Sequence, residues 1–404
     1  MNKSTFYISA PFDTYSGYGA RSRDVIKSII KSDKYNVKLL SQRWGNTPWE
    51  FIKDHKEEWG FLLDYLHHPN DDKVQPDIWM QITVPNEFNP VGKYNIGMTA
   101  GMETTIVDAT WVEGINRMDI NFVSSNHSKQ SFLNSRFQKQ EHGKVVGTVE
   151  VQKPIEVLFE GANLNIYKPI KSTFDLSSIP ESFCYLFVGH WMQGGLGEDR
   201  KNVGYTIKSF LETFKNTPNP PALVMKVSGS GASYIDKKQL LKRYYQIRKT
   251  VKGKKLPNVY MIKGEGFGRP LLEFSLSQKP IMVSGWSGHM DFINPEFSLV
   301  LNGNLKNVDR SAVVPNMILP ESQWFSPNPS DVGNGFKSIF KNYKKHLVTA
   351  KRQAHYSKTN FSWSAMDELL SSHLDKNIPK FAKQVTLNLP NLNTNKLELP
   401  KLKK

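Results

Sequence analysis

Two carboxylates, Glu265 and Glu273, stand eight positions apart in the run Lys263–Ser275, "KGEGFGRPLLEFS". Between them lie Gly266, Phe267 and Gly268, then an Arg-Pro pair. Gly266 and Gly268 permit positive φ and close backbone approach. Pro270 has a preset φ that suits the first turn of a helix, and Leu271, Leu272, Phe274 and Leu276 supply an apolar face. The spacing predicts a loop whose N–H groups sit at a helix N-terminus, a natural anion site. Glu265 would then lie beside the anion, and Glu273 one turn into the helix, where it could accept hydrogen bonds from a diol. A phosphate flanked by hydroxyl-bearing sugars fits this set, with a nucleotide ribose on one side and a donor sugar on the other. A structural loop carrying a surface glutamate is the competing reading.

Cations accompany this motif. Arg200 and Lys201 in "EDRKN" follow one strand-like run, and Lys226 in "LVMKVSG" ends the next. At the carboxyl ends of adjacent parallel strands they would face one cleft, and three cations near a helix N-terminus make a diphosphate site. In the first half, Gly17 and Gly19 lie in the first β→α loop, the usual place for backbone contact with phosphate. They do not form G-x-G-x-x-G, which disfavours a dinucleotide oxidoreductase.

These residues need a scaffold, and the apolar runs describe one. "TFYISAPF", "NVKLLSQ", "PDIWMQITV", "KYNIGMTAG", "INFVSS" and "KPIEVLFEGAN" read as strands separated by helical or turn-rich stretches. The runs are short and continuous rather than alternating, as in a parallel sheet covered on both faces. After a proline-flanked break at residues 169–180 the pattern restarts with "FCYLFVGHW", "ALVMKVSG", "NVYMI" and "KPIMVSG". The expected fold class is therefore α/β, with two doubly wound Rossmann-like domains and a ligand cleft between them. The divisions are 1–170, 171–375 with C-terminal helices, and a tail at 376–404. The tail repeats L-x-L-P-x-L at Leu387–Leu392 and Leu397–Leu402, an extended pattern that could dock a protein partner or remain a solubilising end.

The 404 residues carry a net charge of +16, with 39% hydrophobic content. Residues 1–150 are nearly neutral at −1, so the excess of +17 belongs to residues 151–404. A field of that sign favours phosphate-bearing ligands, nucleic acid or an anionic surface. In the dense block Lys237–Lys255, leucines, tyrosines and Ile247 at three- and four-residue spacing predict one buried helix face with the basic residues solvated. No apolar run reaches the roughly 18–20 residues of a transmembrane helix. A single cysteine, Cys184, excludes an internal disulfide framework and reads as buried filler. With no secretory signal evident, the expectation is a cytoplasmic protein, in a host cytoplasm if viral.

At this point the sequence resembles a family. "RKN" after the first strand of the second half, a lysine after the second, and E-G-F-G-x-P-L-L-E look like retaining nucleotide-sugar glycosyltransferases of GT-B architecture. The likeness runs from the Gly17–Gly19 loop to "SGWSGHMDF", and "SAPFDTYSGYGARSRD" and "NIGMTAGMETT" look like a bacteriophage-type branch. The resemblance implies a metal-independent hexosyl- or pentosyltransferase that needs no cofactor beyond its donor, a UDP- or GDP-sugar. It implies that Glu265 holds the donor sugar hydroxyls, Glu273 the ribose diol, and Arg200, Lys201 and Lys226 the leaving diphosphate. Backbone amides around Gly266, Phe267, Gly268, Gly17 and Gly19 would cap phosphates, and Ser287 and Gly288 would lie near the base or the phosphates. For the acidic or histidine group that such enzymes carry in the first half, Glu103 and Thr99 in "TAGMETT" are the candidates.

One departure stands out. Only Met261–Gly264 separate the strand Asn258–Tyr260 from Glu265, where the family places a further helix and strand. The expectation is a second sheet short of one strand. The acceptor stays open between modified DNA, to which the basic charge points, and a surface glycan, a lipid-linked sugar or a protein; against DNA, the basic half is the one expected to hold the donor. The alternative function is a catalytically decayed fold that serves as a binding or assembly protein.

Overall fold

The computed structural model describes residues 3–68, 75–141, 143–171, 175–228, 234–263 and 270–382. Glu265, Gly266, Phe267 and Gly268, and both tail repeats, lie outside the described residues.

The first half is built on β1 (Thr5–Ala10), β2 (Asn36–Ser41), β3 (Ile78–Ile82), β4 (Tyr94–Thr99) and β5 (Ile120–Val123). A hairpin of β6 (Phe137–Glu141) and β7 (Lys144–Val149) follows, then β8 (Ile155–Val157). The sheet order is β2-β1-β3-β4-β5-β8, and every pairing is parallel. Alternation explains the continuous apolar runs, because both faces are covered. In β3, Ile78, Met80 and Ile82 join one core with Phe6, Ile8 and Leu39, while Trp79 joins the other with Trp111, Ile115 and Phe132. The helix Gly17–Lys31 turns Val25, Ile26 and Ile29 into the first of these cores.

Two arginines of this helix are buried, and their role is structural. Arg21 donates to the Leu158 and Phe159 carbonyls at 2.6 and 3.0 Å, and Arg23 to those of Phe12 and Thr14 at 2.7 and 3.0 Å. Buried guanidinium is tolerated only when so satisfied. The result is that loops leaving β1 and β8 are tied to one helix at the carboxyl edge of the sheet.

The second half opens with β9 (Cys184–His190), β10 (Ala222–Ser228) and β11 (Val259–Lys263), a parallel sheet in the order β11-β10-β9. Next come the parallel pair β12 (Met282–Ser284) and β13 (Leu299–Leu301), and the antiparallel pair β14 (Gly303–Asn307) and β15 (Gln323–Pro327). The core joins Val203, Ile207, Phe210 and Phe214 to Leu223, Met225 and Phe336. Leu240, Tyr244 and Ile247 of the basic helix Tyr234–Thr250 enter the same core, while Lys238, Lys242 and Lys249 are exposed. That is the single buried face expected from spacing.

The second sheet has an open edge at β9. Among the described residues β9 is hydrogen-bonded on one side only, and β12–β13 forms a separate sheet. Leu186 in the middle of β9 is 52% exposed. Cys184, expected as buried filler, is exposed on the same face of β9 as Leu186.

The chain then returns to its beginning. The helix Trp363–Asn377, grouped by sequence with the second domain, places Met366, Leu370 and Leu374 in the core of the first. The crossing is held by Ala162 and Trp363, whose N–H groups donate to the Phe361 and Ala162 carbonyls. Gly161 leaves room for it, since a Cβ there would stand 2.8 Å from the Ser362 carbonyl oxygen. No helix among the described residues is long and apolar enough to cross a membrane.

A contrast in stability follows. Leu370→Ala should cost about 2–5 kcal/mol, the usual range for a fully buried leucine. Leu186→Ser should stay within roughly 0.5 kcal/mol, as for exposed positions. Urea unfolding of both variants checks this, and equal losses would mean that the open edge of β9 is covered in solution.

Candidate active site

The carboxyl edges of the two halves meet around one carboxylate. Glu103 lies in the segment leaving β4, past Gly101 with its φ of +78°. Arg200 and Lys201 lie between β9 and the helix Val203–Phe214. Arg200 Nη1 donates to Glu103 Oε1 and Oε2 at 2.6 and 2.7 Å, and Lys201 Nζ donates to Oε1 at 2.6 Å. The Arg200 side chain is 19% exposed and that of Glu103 29%, so the cluster is sheltered without being sealed. Burial alone would raise the Glu103 pKa. The charges and hydrogen bonds of Arg200 and Lys201 overcome it and hold the carboxyl well below the usual range.

The two cations are set by their own loop. Asp199 is buried and accepts from the Val203 and Gly204 N–H groups at 2.8 and 3.2 Å, which caps the following helix. Asn202 sits in the left-handed region at φ +52°, so the chain turns sharply just after the cations. An aspartate ahead of the first apolar helix residue is an ordinary cap signal, and it marks Asp199 as a residue that positions Arg200 and Lys201.

A second seam lies alongside. Ser125 caps the helix Asn126–Asn134, and the Asn126 N–H donates across the seam to Asp291 Oδ2 at 2.8 Å. Gly288 packs so tightly on Ser125 that a Cβ would stand 2.6 Å from its Oγ. Ser287, just before it, has φ +83°, unusual for a residue with a side chain. Trp286 donates its ring N–H to the Glu103 carbonyl at 3.5 Å and meets the His127 ring edge-on at 5.0 Å. Burial lowers the His127 pKa despite the nearby Glu103 and Asp291 charges, which favours the neutral imidazole. Its Nε2 is buried without a hydrogen-bond partner. Burial also lowers His289, whose Nε2 lies 2.8 Å from the Ser284 carbonyl and so carries the proton in the neutral ring.

Of the residues singled out by sequence, Glu103, Arg200 and Lys201 form one cluster, and Ser287 and Gly288 line the adjoining seam. Gly17 begins the first helix. The Gly19 N–H donates to the capping Ser16 Oγ at 2.8 Å, and a Cβ at Gly19 would stand 2.4 Å from the Thr14 carbonyl oxygen. Thr99 bonds the Tyr18 hydroxyl at 2.8 Å rather than either cation. Lys226 is half-buried on β10, and among the described residues no hydrogen bond or ion pair joins it to the cluster. Glu273 lies in the first turn of the helix Pro270–Ser275, as the proline predicted. His127, Trp286 and Asp291 were not foreseen. Their sequence signal was only that they flank predicted strand ends.

No family model matches this chain, and no curated protein matches it in sequence. Solved structures do match in fold. A glycosyltransferase from Rickettsia africae is 11% identical, covers 94% of this chain and 100% of its own, with a TM-score of 0.59. Anabaena HepE, solved with UDP and glucose, is 11% identical over 92% of this chain and 100% of its own, with a TM-score of 0.56. Sucrose-phosphate synthase from Thermosynechococcus elongatus is 12% identical over 93% and 99%, with a TM-score of 0.55. The chain has the GT-B fold that these structures share.

Proposed function

We propose that this chain transfers a sugar from a nucleotide-diphospho-sugar to an acceptor hydroxyl. The observation that carries this reading is the convergence of Arg200 and Lys201 on one anion at the seam of two parallel α/β halves. A leaving diphosphate needs that arrangement. As the glycosidic bond breaks, negative charge grows on the phosphate oxygens, and fixed cations aimed there stabilise it. HepE binds UDP and glucose, and UDP-glucose, in its solved structures, which agrees with a nucleotide-sugar donor.

In this reading Arg200 and Lys201 release Glu103 and take the diphosphate. Lys226 and the amide of Gly17 are further phosphate contacts, and Ser287 and Gly288 border the nucleotide. Glu273 takes the ribose diol and Glu265 the donor sugar hydroxyls, with amides of Gly266, Phe267 and Gly268 beside them. The transfer proceeds with retention, and the two cations carry the charge that a divalent ion carries in other transferases. The donor is a UDP- or GDP-sugar.

Thermal shift with UDP-, GDP- and ADP-sugars tests the reading. A ligand present at 100 times its Kd stabilises by about 2.7 kcal/mol. One of the three should raise Tm by several degrees in the native chain and much less in Glu273→Ala. No response to any of them would favour a binding protein on a decayed fold.

A further inference from the structure

The donor reading leaves the acceptor open, and the rim of the first sheet bears on it. The segment leaving β2, Gln42–Glu50, carries two tryptophans. Trp44 stacks on Tyr18 with centroids 4.0 Å apart and rings tilted by 23°. The Tyr18 hydroxyl bonds Thr99 Oγ1 at 2.8 Å and accepts from the Ala100 N–H at 3.0 Å. Four residues beyond Thr99 is Glu103, which grips Arg200 and Lys201. Trp44 is therefore joined through Tyr18 to the start of the segment that carries Glu103.

The loop is tied down rather than draped. Gln42 Nε2 donates to Ser9 Oγ at 2.6 Å, and the Tyr15 N–H donates to the Pro48 carbonyl at 3.1 Å. Beyond it the Phe51 and Ile52 N–H groups donate to the Asp13 carbonyl and Oδ1. Trp44 and Trp49 both remain part-exposed, and Trp49 faces the Arg43 guanidinium at 5.8 Å. A fixed loop that keeps two large rings partly in water has the form of a binding platform.

Charge selects what the platform can hold. The segments leaving β3 and β8 bring Glu87 and Glu160 to this rim, whereas Glu50 pairs with Lys53 at 2.8 Å and Glu103 with Arg200 and Lys201. Glu87 and Glu160 both act on Tyr18: burial raises its pKa, the hydrogen bonds with Thr99 and Ala100 lower it, and the Glu160 and Glu87 charges raise it. Aromatic platforms also stack nucleobases, but those sites run along a positive groove that tracks the phosphates. The charges of Glu87 and Glu160 beside the rings repel such a chain. They suit a neutral ring with hydroxyl groups, whose C–H face lies on the indole while carboxylates accept from the hydroxyls.

We infer that the acceptor is a neutral sugar, seated on the Trp44–Tyr18 platform with Glu87 and Glu160 facing its hydroxyls. This inference rests on the transferase reading for its placement, but sugar binding can be measured without a donor. Saturation-transfer NMR on the full chain with p-nitrophenyl hexosides and short neutral oligosaccharides should show contact. Trp44→Ala should weaken that contact, and raise the acceptor KM tenfold or more, while nucleotide Kd holds. Trp44→Phe should recover most of the loss, which separates platform chemistry from folding. Glycan binding indifferent to Trp44→Ala, or transfer to a hydroxymethylcytosine duplex with none to glycans, would overturn the inference. Glycan binding in a chain that binds no nucleotide would overturn the donor reading and leave the sugar site standing.

Discussion

Arg200→Ala is expected to lower kcat/KM for nucleotide-sugar turnover by about 10²–10³-fold, the usual cost of removing one fixed stabiliser of developing negative charge. Nη1 already reaches both oxygens of a carboxylate at 2.6 and 2.7 Å, so the same nitrogen can meet the oxygens of a phosphate without rearrangement. Asp199 fixes the loop from behind, so the loss should lie in charge and not in loop order. Arg200→Lys should recover only part of the rate, because an ammonium lacks the planar fork. The check is initial-rate kinetics beside a melting curve. A drop smaller than threefold with Tm intact would remove Arg200 from the reaction.

That prediction relies on residues that were legible before any fold was known, and it is useful to ask why. "RKN" announced itself because cations after an apolar run, just before a helix, have few structural uses. The parallel sheets were legible for a similar reason: β1, β3 and β10 are short runs without a regular polar alternation, as in a sheet covered on both faces. Other features could not be read from a single stretch. The partner that Arg200 and Lys201 hold, Glu103, is almost a hundred positions away, and the pairing exists only because two sheet edges face each other. His127 and Asp291 look like ordinary polar residues until the seam brings them together with Trp286 and Asn126. The helix Trp363–Asn377 was grouped with its neighbours in sequence, whereas the core it completes lies at the other end of the chain. Cys184 misled because its apolar run signals burial by default, whereas it lies with Leu186 on a face of β9 that stays exposed. Gly19 misled in a subtler way. Its position in the first loop fits a phosphate contact, but its amide serves the helix cap.

Glu103→Gln should act in the opposite sense to Arg200→Ala on binding, and that opposition is the sharper test of the site. In the free protein the carboxylate occupies both cations, so a diphosphate has to displace it. Removing its charge should tighten nucleotide binding by about tenfold, or ~1.4 kcal/mol. If Glu103 also orients the donor sugar once released, sugar transfer should fall while affinity rises. The pH dependence has a fixed sign. The folded pKa of Glu103 lies below its unfolded value of roughly 4.3. The stabilisation it gives is therefore fully present above that value and is lost as pH falls through the folded pKa. The stability gap between the native chain and Glu103→Gln should stay level from about pH 5 to 8 and close on further acidification. Titration calorimetry with the nucleotide, and melting curves across that range, measure the two effects separately. Weaker nucleotide binding in Glu103→Gln would mean that the carboxylate helps hold the ligand, and that the cations are structural partners of Glu103 instead of a diphosphate site held in reserve.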